Sequence, residues 1–110
     1  MSRKRTYSQY SIEATYLLGS QIKLARKQNK WTETDLATRA GISRATLQKI
    51  EKGDLSCAIG LVFEVATIVG CPLFESDKTS LNINIDRTLD KIALLPKSIH
   101  KSKKEIDDDF

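Results

Sequence analysis

Apolar residues recur every three or four positions over most of the chain, which is the spacing of amphipathic α-helices. In residues 11–28, for example, Leu18, Ile22 and Ala25 share one helical face. The other segments with helical spacing are 32–40, 43–52, 59–69 and 81–95. The pattern therefore predicts an all-α fold built from five helices.

Capping residues divide the middle of the chain into two short helices joined by a turn. Thr32 can cap a helix, and Asp35 three positions later can reach back to it, as in a capping box. Gly41 comes where the chain must leave that helix with a positive φ, which glycine adopts without steric cost. Ser43 is a second N-cap candidate, and Gly53 is expected to end the helix that Ser43 opens.

Each of these two short helices has an apolar side and a polar side. The core positions expected from the spacing are Leu36, Ala37, Ala40, Leu47 and Ile50. On the second helix, the outward side consists of Arg44, Ala45, Gln48 and Lys49. Two short helices joined by a glycine turn are the arrangement that docks a helix into DNA, although an ordinary helical hairpin with a solvated face has the same pattern.

The segment 59–69 is apolar on nearly every side. Its two expected faces are Ile59, Val62, Ala66 and Val69, and then Leu61, Val65 and Ile68. We expect the first of these faces to lie in the core. A second apolar face in so small a protein indicates a partner subunit, so we expect a homodimer.

Residues 81–95 fit two patterns. Residues 81–85 alternate between apolar side chains and asparagine, as in a β-strand. The helical pattern is longer and consists of Leu81, Ile85, Leu89, Ile92 and Leu95. Its length and Pro96 beyond it favour a helix, which is best defined over residues 86–94.

Positive charge is concentrated in the first half of the chain. The 110 residues carry a net charge of +4, but residues 1–52 hold eleven Lys or Arg against four Asp or Glu, and residues 53–110 hold seven against ten. The predicted helix pair lies in the basic half, as attraction to DNA phosphates requires. A chain of this length supports one domain, which we expect over residues 11–96. It is flanked by a flexible basic arm at 1–10 and a disordered charged tail at 97–110, a type of segment that often binds partners.

Residues that carry enzyme or metal chemistry are sparse. Cys57 and Cys71 have no Cys or His nearby to complete a metal site, and the single histidine, His100, lies in the polar tail. Nucleotide-binding loops, nucleophile motifs, a secretion signal and a bilayer-length apolar span are also missing from the sequence. The sequence therefore favours an intracellular protein with no enzyme activity, no cofactor, no metal and no membrane association.

Residues 32–53 resemble the helix-turn-helix of Xre and phage-repressor proteins, and the resemblance extends over about residues 18–74. The matching stretches outside the turn are Ile22-Lys23-Leu24-Ala25-Arg26 and Ile50-Glu51-Lys52-Gly53. The resemblance implies a five-helix, lambda-repressor-like domain. It also implies that Arg26 and Glu51 form a structural pair between the first and third helices.

The same resemblance implies DNA contacts for the two short helices. The base-reading positions hold Arg44, Ala45, Gln48 and Lys49, and the phosphate-contacting positions hold Thr32, Thr34, Ser43, Thr46 and Lys52. Arg44 has the strongest chemical support, because a guanidinium can make a bidentate contact with guanine. The chain departs from the family in two places: Glu33 stands where a phosphate-contacting glutamine is usual, and residues 58–60 lack the usual proline and polar helix start.

The end of the chain is similar to one group within this family, the HipB-like antitoxins. The similar stretches are Ala93-Leu94-Leu95-Pro96-Lys97 and Ile106-Asp107-Asp108-Asp109-Phe110. The similarity implies a homodimer that binds a palindromic operator in double-stranded DNA, represses its own operon and forms a complex with a HipA-like serine/threonine kinase toxin. Such a protein would be cytoplasmic and associated with the bacterial nucleoid. A stand-alone phage-like repressor and a protein-interaction module without DNA binding are the alternatives.

Overall fold

All regular secondary structure in the described part of the chain is α-helical. The computed structural model describes residues 5–74 and 77–99, and these residues form five α-helices and no β-strand, which confirms the predicted all-α fold. The helices are α1 (Gln9–Gln28), α2 (Glu33–Ala40), α3 (Arg44–Glu51), α4 (Ile59–Val69) and α5 (Lys78–Ala93). The chain divides into two compact units, Met1–Leu73 with α1 to α4 and Phe74–Phe110 with α5.

Much of the expected arm and tail lies outside the described residues, namely residues 1–4 and 100–110. Within the described part, α1 begins at Gln9 rather than at the expected Ser11. The reason is that the Ser8 hydroxyl caps the helix by accepting a hydrogen bond from the Ser11 N–H at 3.2 Å. The last residues of the expected arm are therefore helical, and the domain limits at 11 and 96 stay predictions.

The predicted caps set the bounds of the two central helices. The Thr32 hydroxyl accepts from the Asp35 N–H at 3.0 Å, and the Asp35 carboxylate accepts from the Thr32 N–H at 2.9 Å, so the capping box is complete. The hydrogen bond that the Asp35 carboxylate accepts from the Thr32 N–H, and then its interaction with the Thr32 side chain, lower the pKa of Asp35 below its usual value. Ser43 caps α3 by accepting from the Thr46 N–H at 3.0 Å. Gly41 ends α2 with a φ of 69°, in the left-handed region.

The core of the first unit takes one fully buried side chain from each of α1 to α4. These side chains are Ile22, Leu36, Leu47 and Val65. Burial of each contributes about 1.5–3 kcal/mol relative to exposure. The other buried apolar residues are Ala37, Ile50, Ala66 and Val69. Because α2 and α3 bury the faces that their spacing predicts, their polar sides point away from this core.

The expected faces of α4 are wrong at three positions. Val65, which we assigned to the second face, is fully buried, whereas Ile59, which we assigned to the core, is 73% exposed. Ile59 is the first residue of α4, and helical Cα–Cβ bonds tilt toward the N-terminus, so its side chain extends beyond the packed turns. The core face of α4 therefore consists of Val65, Ala66 and Val69, with Val62 packed beside them. Ile68, which we also assigned to the second face, packs against this core as well.

Residues 81–85 are helical, so the β-strand alternative is wrong. The Asp77 carboxylate caps α5 by accepting from the N–H groups of Thr79 and Ser80, which explains why the helix begins before its best-defined predicted part. None of the residues of α5 is buried. Apolar side chains that are 38–59% exposed recur along it at helical spacing, namely Leu81, Ile85, Leu89 and Ile92.

Two glycines allow α1 to approach the end of α3 at backbone distance. A Cβ at Gly19 would lie 2.5 Å from the carbonyl oxygen of Ile50 and 2.7 Å from that of Glu51. A Cβ at Gly53, whose φ is 79°, would lie 2.7 Å from the Cα of Tyr16. Any larger residue at these positions must move the backbone, so the two helices are fixed against each other there.

We expect Gly19→Ala to lower the free energy of unfolding by about 1–3 kcal/mol, because the added methyl group must push α1 away from the backbone of α3. Gly60→Ala is the matched control, since Gly60 lies in α4 and a Cβ there would have no neighbour within 4 Å. That control should raise the free energy of unfolding by about 0.4–1 kcal/mol. Urea unfolding followed by circular dichroism measures both changes, and equal effects would contradict the close approach.

Candidate nucleic-acid interface

The outward side of α3 brings together the residues predicted to read bases. Leu47 and Ile50 anchor the opposite side of α3 in the core. The outward side consists of Arg44, Ala45 and Lys49, which are exposed, and Gln48, which is half-buried. These positions lie side by side on a helix, since residues four apart share a face. Their contacts with DNA stay predictions.

The residues predicted to meet phosphates lie around the ends of α2 and α3. Thr32 and Ser43 are the N-caps of the two helices, Thr34 and Thr46 lie in the first turns, and Lys52 is the C-cap of α3. The Ser43 hydroxyl also donates to the Thr46 hydroxyl at 2.9 Å. Thr34 and Lys52 are exposed, whereas Thr46 is half-buried. The set thus lies at the starts of α2 and α3 and at the end of α3, and its phosphate contacts also stay predictions.

Glu33 connects α2 and α3 at the protein surface. Its Oε1 accepts a hydrogen bond from Arg44 Nε at 3.1 Å and another from Gln48 Nε2 at 3.1 Å. The bond from Gln48 and then that from Arg44 lower the pKa of Glu33 below its usual value. The Glu33 side chain is 27% exposed and that of Arg44 is 63% exposed. Glu33 therefore contacts two of the side chains predicted to read bases.

From the sequence, Glu33 is recognised only as a departure from the glutamine usual in the family. One signal for its contacts was present, because Arg44 and Gln48 are four residues apart and so share a face of α3. The contact depends on how α2 lies against α3, which residue spacing within either helix does not specify. For this reason the sequence does not predict the contacts of Glu33 with Arg44 and Gln48.

A buried ion pair holds the other end of α3. Arg26 Nε donates to Glu51 Oε2 at 2.7 Å and Arg26 Nη2 donates to Glu51 Oε1 at 3.1 Å, so the contact is bidentate. Both residues are only 6% exposed. Arg26 Nη1 also donates to the carbonyl oxygen of Trp31 at 3.0 Å. The bond to Glu51 raises the pKa of Arg26 above its usual value. One guanidinium thus joins α1, the segment before α2 and the end of α3.

Metal-binding side chains and thiols are not organised into a site in the described part of the chain. Within residues 5–74 and 77–99, no three or more His, Cys, Asp or Glu side chains are grouped to hold a metal ion. The helices in these ranges are also too short or too polar to cross a membrane. Cys57 and Cys71 are free and half-buried, and burial raises the pKa of the Cys57 thiol.

Residues 22–76 match the family model described as helix-turn-helix. The match covers half of the chain and includes α2, α3 and both residues of the buried pair. The chain belongs to the Xre-type helix-turn-helix family. Membership of this helix-turn-helix family confirms the resemblance inferred from the sequence. It also makes α3 the second helix of the motif, the one that enters the major groove in proteins of this kind.

Known helix-turn-helix proteins similar to this chain include HipB proteins. The antitoxin HipB of Escherichia coli O6:H1 (strain CFT073) is 32% identical over 63 residues, which cover 54% of this chain and 67% of the relative. A solved structure of a HipB variant in complex with an O2 20mer has a TM-score of 0.51 and 26% identity, and the match covers 70% of this chain and 99% of that chain. A structure named MDT Protein has the same TM-score of 0.51 and 25% identity, with coverage of 69% and 99%. The chain is therefore similar to HipB in both sequence and fold.

We expect removal of either partner of the buried pair to lower the free energy of unfolding by about 3–5 kcal/mol, because the remaining charge would be buried without its counter-ion. Glu51→Gln and Arg26→Met are suitable single changes. The double variant should lose less than the sum of the two, since it leaves no charge uncompensated. Urea unfolding of the four proteins gives the coupling energy, and strictly additive losses would reject an energetic role for the contact.

Proposed function

We propose that this protein is a sequence-specific DNA-binding repressor that acts as an antitoxin of the HipB type. In this proposal it represses its own operon and forms a complex with a HipA-like serine/threonine kinase. The observation that carries the proposal is a helix-turn-helix domain that is similar in sequence to an antitoxin, HipB, and in fold to a HipB variant in complex with an O2 20mer. A regulator of this kind acts on the chromosome, so we expect it in the bacterial cytoplasm.

The proposed DNA contacts follow from the chemistry of the exposed side of α3. Arg44 lies in the first turn of α3 and can present two parallel N–H donors to O6 and N7 of guanine. Ala45 beside it offers a methyl group for contact with the methyl group of thymine. Lys49 lies one turn further along, where a flexible ammonium can reach an acceptor on a base. Thr34 and Lys52 at the edges of this surface are suited to phosphates.

Homodimerisation is supported by the apolar side chains that the folded chain leaves exposed. On α4 these include Ile59 and Leu61, and on α5 they include Leu81, Ile85, Leu89 and Ile92. An isolated amphipathic helix of the length of α5, 16 residues, is marginally stable in water. The apolar side of α5 therefore requires another surface. A two-fold dimer would direct its two α3 helices into successive major grooves about 34 Å apart, which suits a palindromic operator.

The kinase partner is supported by the similarity to an antitoxin and by the charge of the chain's end. Four of the six residues at 105–110 are acidic, and these residues lie outside the described part of the chain. A negatively charged segment is repelled by DNA and is suited to a basic protein surface. Within this proposal, the helix-turn-helix unit binds the operator while other parts of the chain contact the kinase.

We expect Arg44→Ala to cost about 1–3 kcal/mol of binding free energy on the operator, with relaxed preference at one base pair in each half-site. The loss follows from removal of a bidentate contact with a base edge. Fluorescence anisotropy on the operator, on its single-base-pair variants and on an unrelated duplex measures both effects. Equal weakening on all duplexes would instead assign Arg44 to the phosphate backbone.

The antitoxin function predicts that the full-length protein co-purifies with a HipA-like kinase from the same genome and suppresses the growth arrest caused by that kinase. Arg44→Ala should retain this suppression, because the proposed base contact is not part of the kinase interface. Co-expression from separate promoters removes any contribution from autoregulation. Sequence-specific DNA binding without capture of the kinase would favour the stand-alone phage-like repressor.

A further inference from the structure

Glu33 makes its two side-chain contacts with residues that are proposed to read DNA. We propose that Glu33 is a specificity-determining residue: it holds Arg44 and Gln48 each in one orientation, so that α3 presents a fixed arrangement of donors and acceptors to the base edges. This inference rests on the proposed function and assigns a part of the reading surface to α2. Glu33 is a positioning residue, since it acts through Arg44 and Gln48.

The contact with Glu33 uses one edge of the Arg44 guanidinium and leaves another edge available for a DNA base. Glu33 engages Nε, whereas Nη1 and Nη2 carry the other four N–H donors of the planar group. The Nη1–Nη2 end can therefore approach guanine while Nε stays bonded to Glu33. Because the guanidinium is planar, fixing Nε also restricts the plane in which the remaining donors lie. An arginine without this restraint must lose more rotamer freedom on binding and can reach alternative acceptors.

The contact with Gln48 fixes which end of its amide faces outward. An ionised carboxylate only accepts hydrogen bonds, so Gln48 must turn its Nε2 toward Glu33, as the 3.1 Å distance shows. The Oε1 of Gln48 then points away from Glu33. A glutamine at position 33 would be able to donate as well as accept, and both amide orientations of Gln48 would be allowed. The negative charge at position 33 therefore sets the polarity of the Gln48 amide.

The charge of Glu33 also acts on binding that does not depend on sequence. Glu33 lies between Thr32 and Thr34, two residues proposed to meet phosphates. A carboxylate beside the phosphate backbone opposes the electrostatic attraction that drives non-specific binding. A glutamate carboxylate is ionised at neutral pH, and the bonds from Gln48 and Arg44 lower the pKa of Glu33 further below its usual value. Repulsion of the backbone weakens both kinds of binding, whereas orientation of the reading groups favours the specific sequence and so increases the ratio of specific to non-specific affinity.

The decisive change is Glu33→Gln in the full-length protein, since it keeps the size of the side chain and removes the charge. The wild-type protein first selects its preferred sequence from a pool of random 20-base-pair duplexes. Affinities are then measured for that duplex, for each of its single-base-pair variants and for an unrelated duplex. We expect Glu33→Gln to reduce discrimination about threefold to tenfold at the base pairs identified by Arg44→Ala, and to tighten binding to the unrelated duplex.

Two comparisons separate positioning from a general effect of charge or folding. Glu13→Gln removes one carboxylate from α1, where it accepts from Gln9, and should leave discrimination unchanged. In an Arg44→Ala background, Glu33→Gln should change the ratio of affinities for the selected and the unrelated duplex less than it does alone, because the guanidinium that Glu33 holds is gone. A merely structural role would reduce discrimination equally in both backgrounds and lower the melting temperature as well.

The proposal would be overturned if the Glu33→Gln protein discriminated between the duplexes as well as the wild-type protein does. It would also be overturned if Glu33→Gln caused the same loss of discrimination in the Arg44→Ala background as in the wild-type background. Failure of the proposed function is distinguishable, because the wild-type protein would then select no sequence from the pool. If Arg44→Ala relaxes a base preference and Glu33→Gln does not, DNA reading stands and only the role of Glu33 is refuted.

Discussion

Neither charge of the Arg26–Glu51 pair can be buried alone, so folding must bring α1 and the end of α3 together with both side chains in place. Removal of each ion from water costs several kcal/mol, which only a close, well hydrogen-bonded contact offsets. The observed contact is bidentate, and the guanidinium also bonds to the Trp31 carbonyl oxygen. Gly19 then permits the backbones of the two helices to approach at this point. The pair and the glycine together define one position of α3 relative to α1.

Features that depend on a few neighbouring residues were predicted well from the sequence. The Thr32 capping box, the Ser43 cap and the left-handed Gly41 each involve residues within four positions of one another, so the side-chain chemistry nearly determines the geometry. The predicted bounds of α4, residues 59–69, are correct for the same reason, since its apolar run ends at a left-handed glycine, Gly70. The pair between Arg26 and Glu51 was different, because it was implied by a family resemblance rather than by spacing.

Features that depend on the packing of one helix against another were predicted less well. Periodicity assigned Ile59 to the core, but periodicity ignores that the first side chain of a helix extends beyond its packed turns. The contacts of Glu33 require α2 and α3 to lie at a particular distance and angle, which no local pattern specifies. The sequence-based prediction of the site thus lacks the side-chain contacts that join one helix to another.

The short third helix is held at both of its ends, by Glu51 at one and by the Ser43 cap and the contacts of Glu33 at the other. Eight helical residues span about 12 Å, so these attachments leave α3 little room to tilt within the domain. In the proposed complex, any mismatch between α3 and the major groove must then be absorbed by the DNA. The energy of bending or twisting a duplex depends on its base steps, including steps that no side chain touches. A rigid recognition helix would thereby make the deformability of the operator part of what the protein recognises.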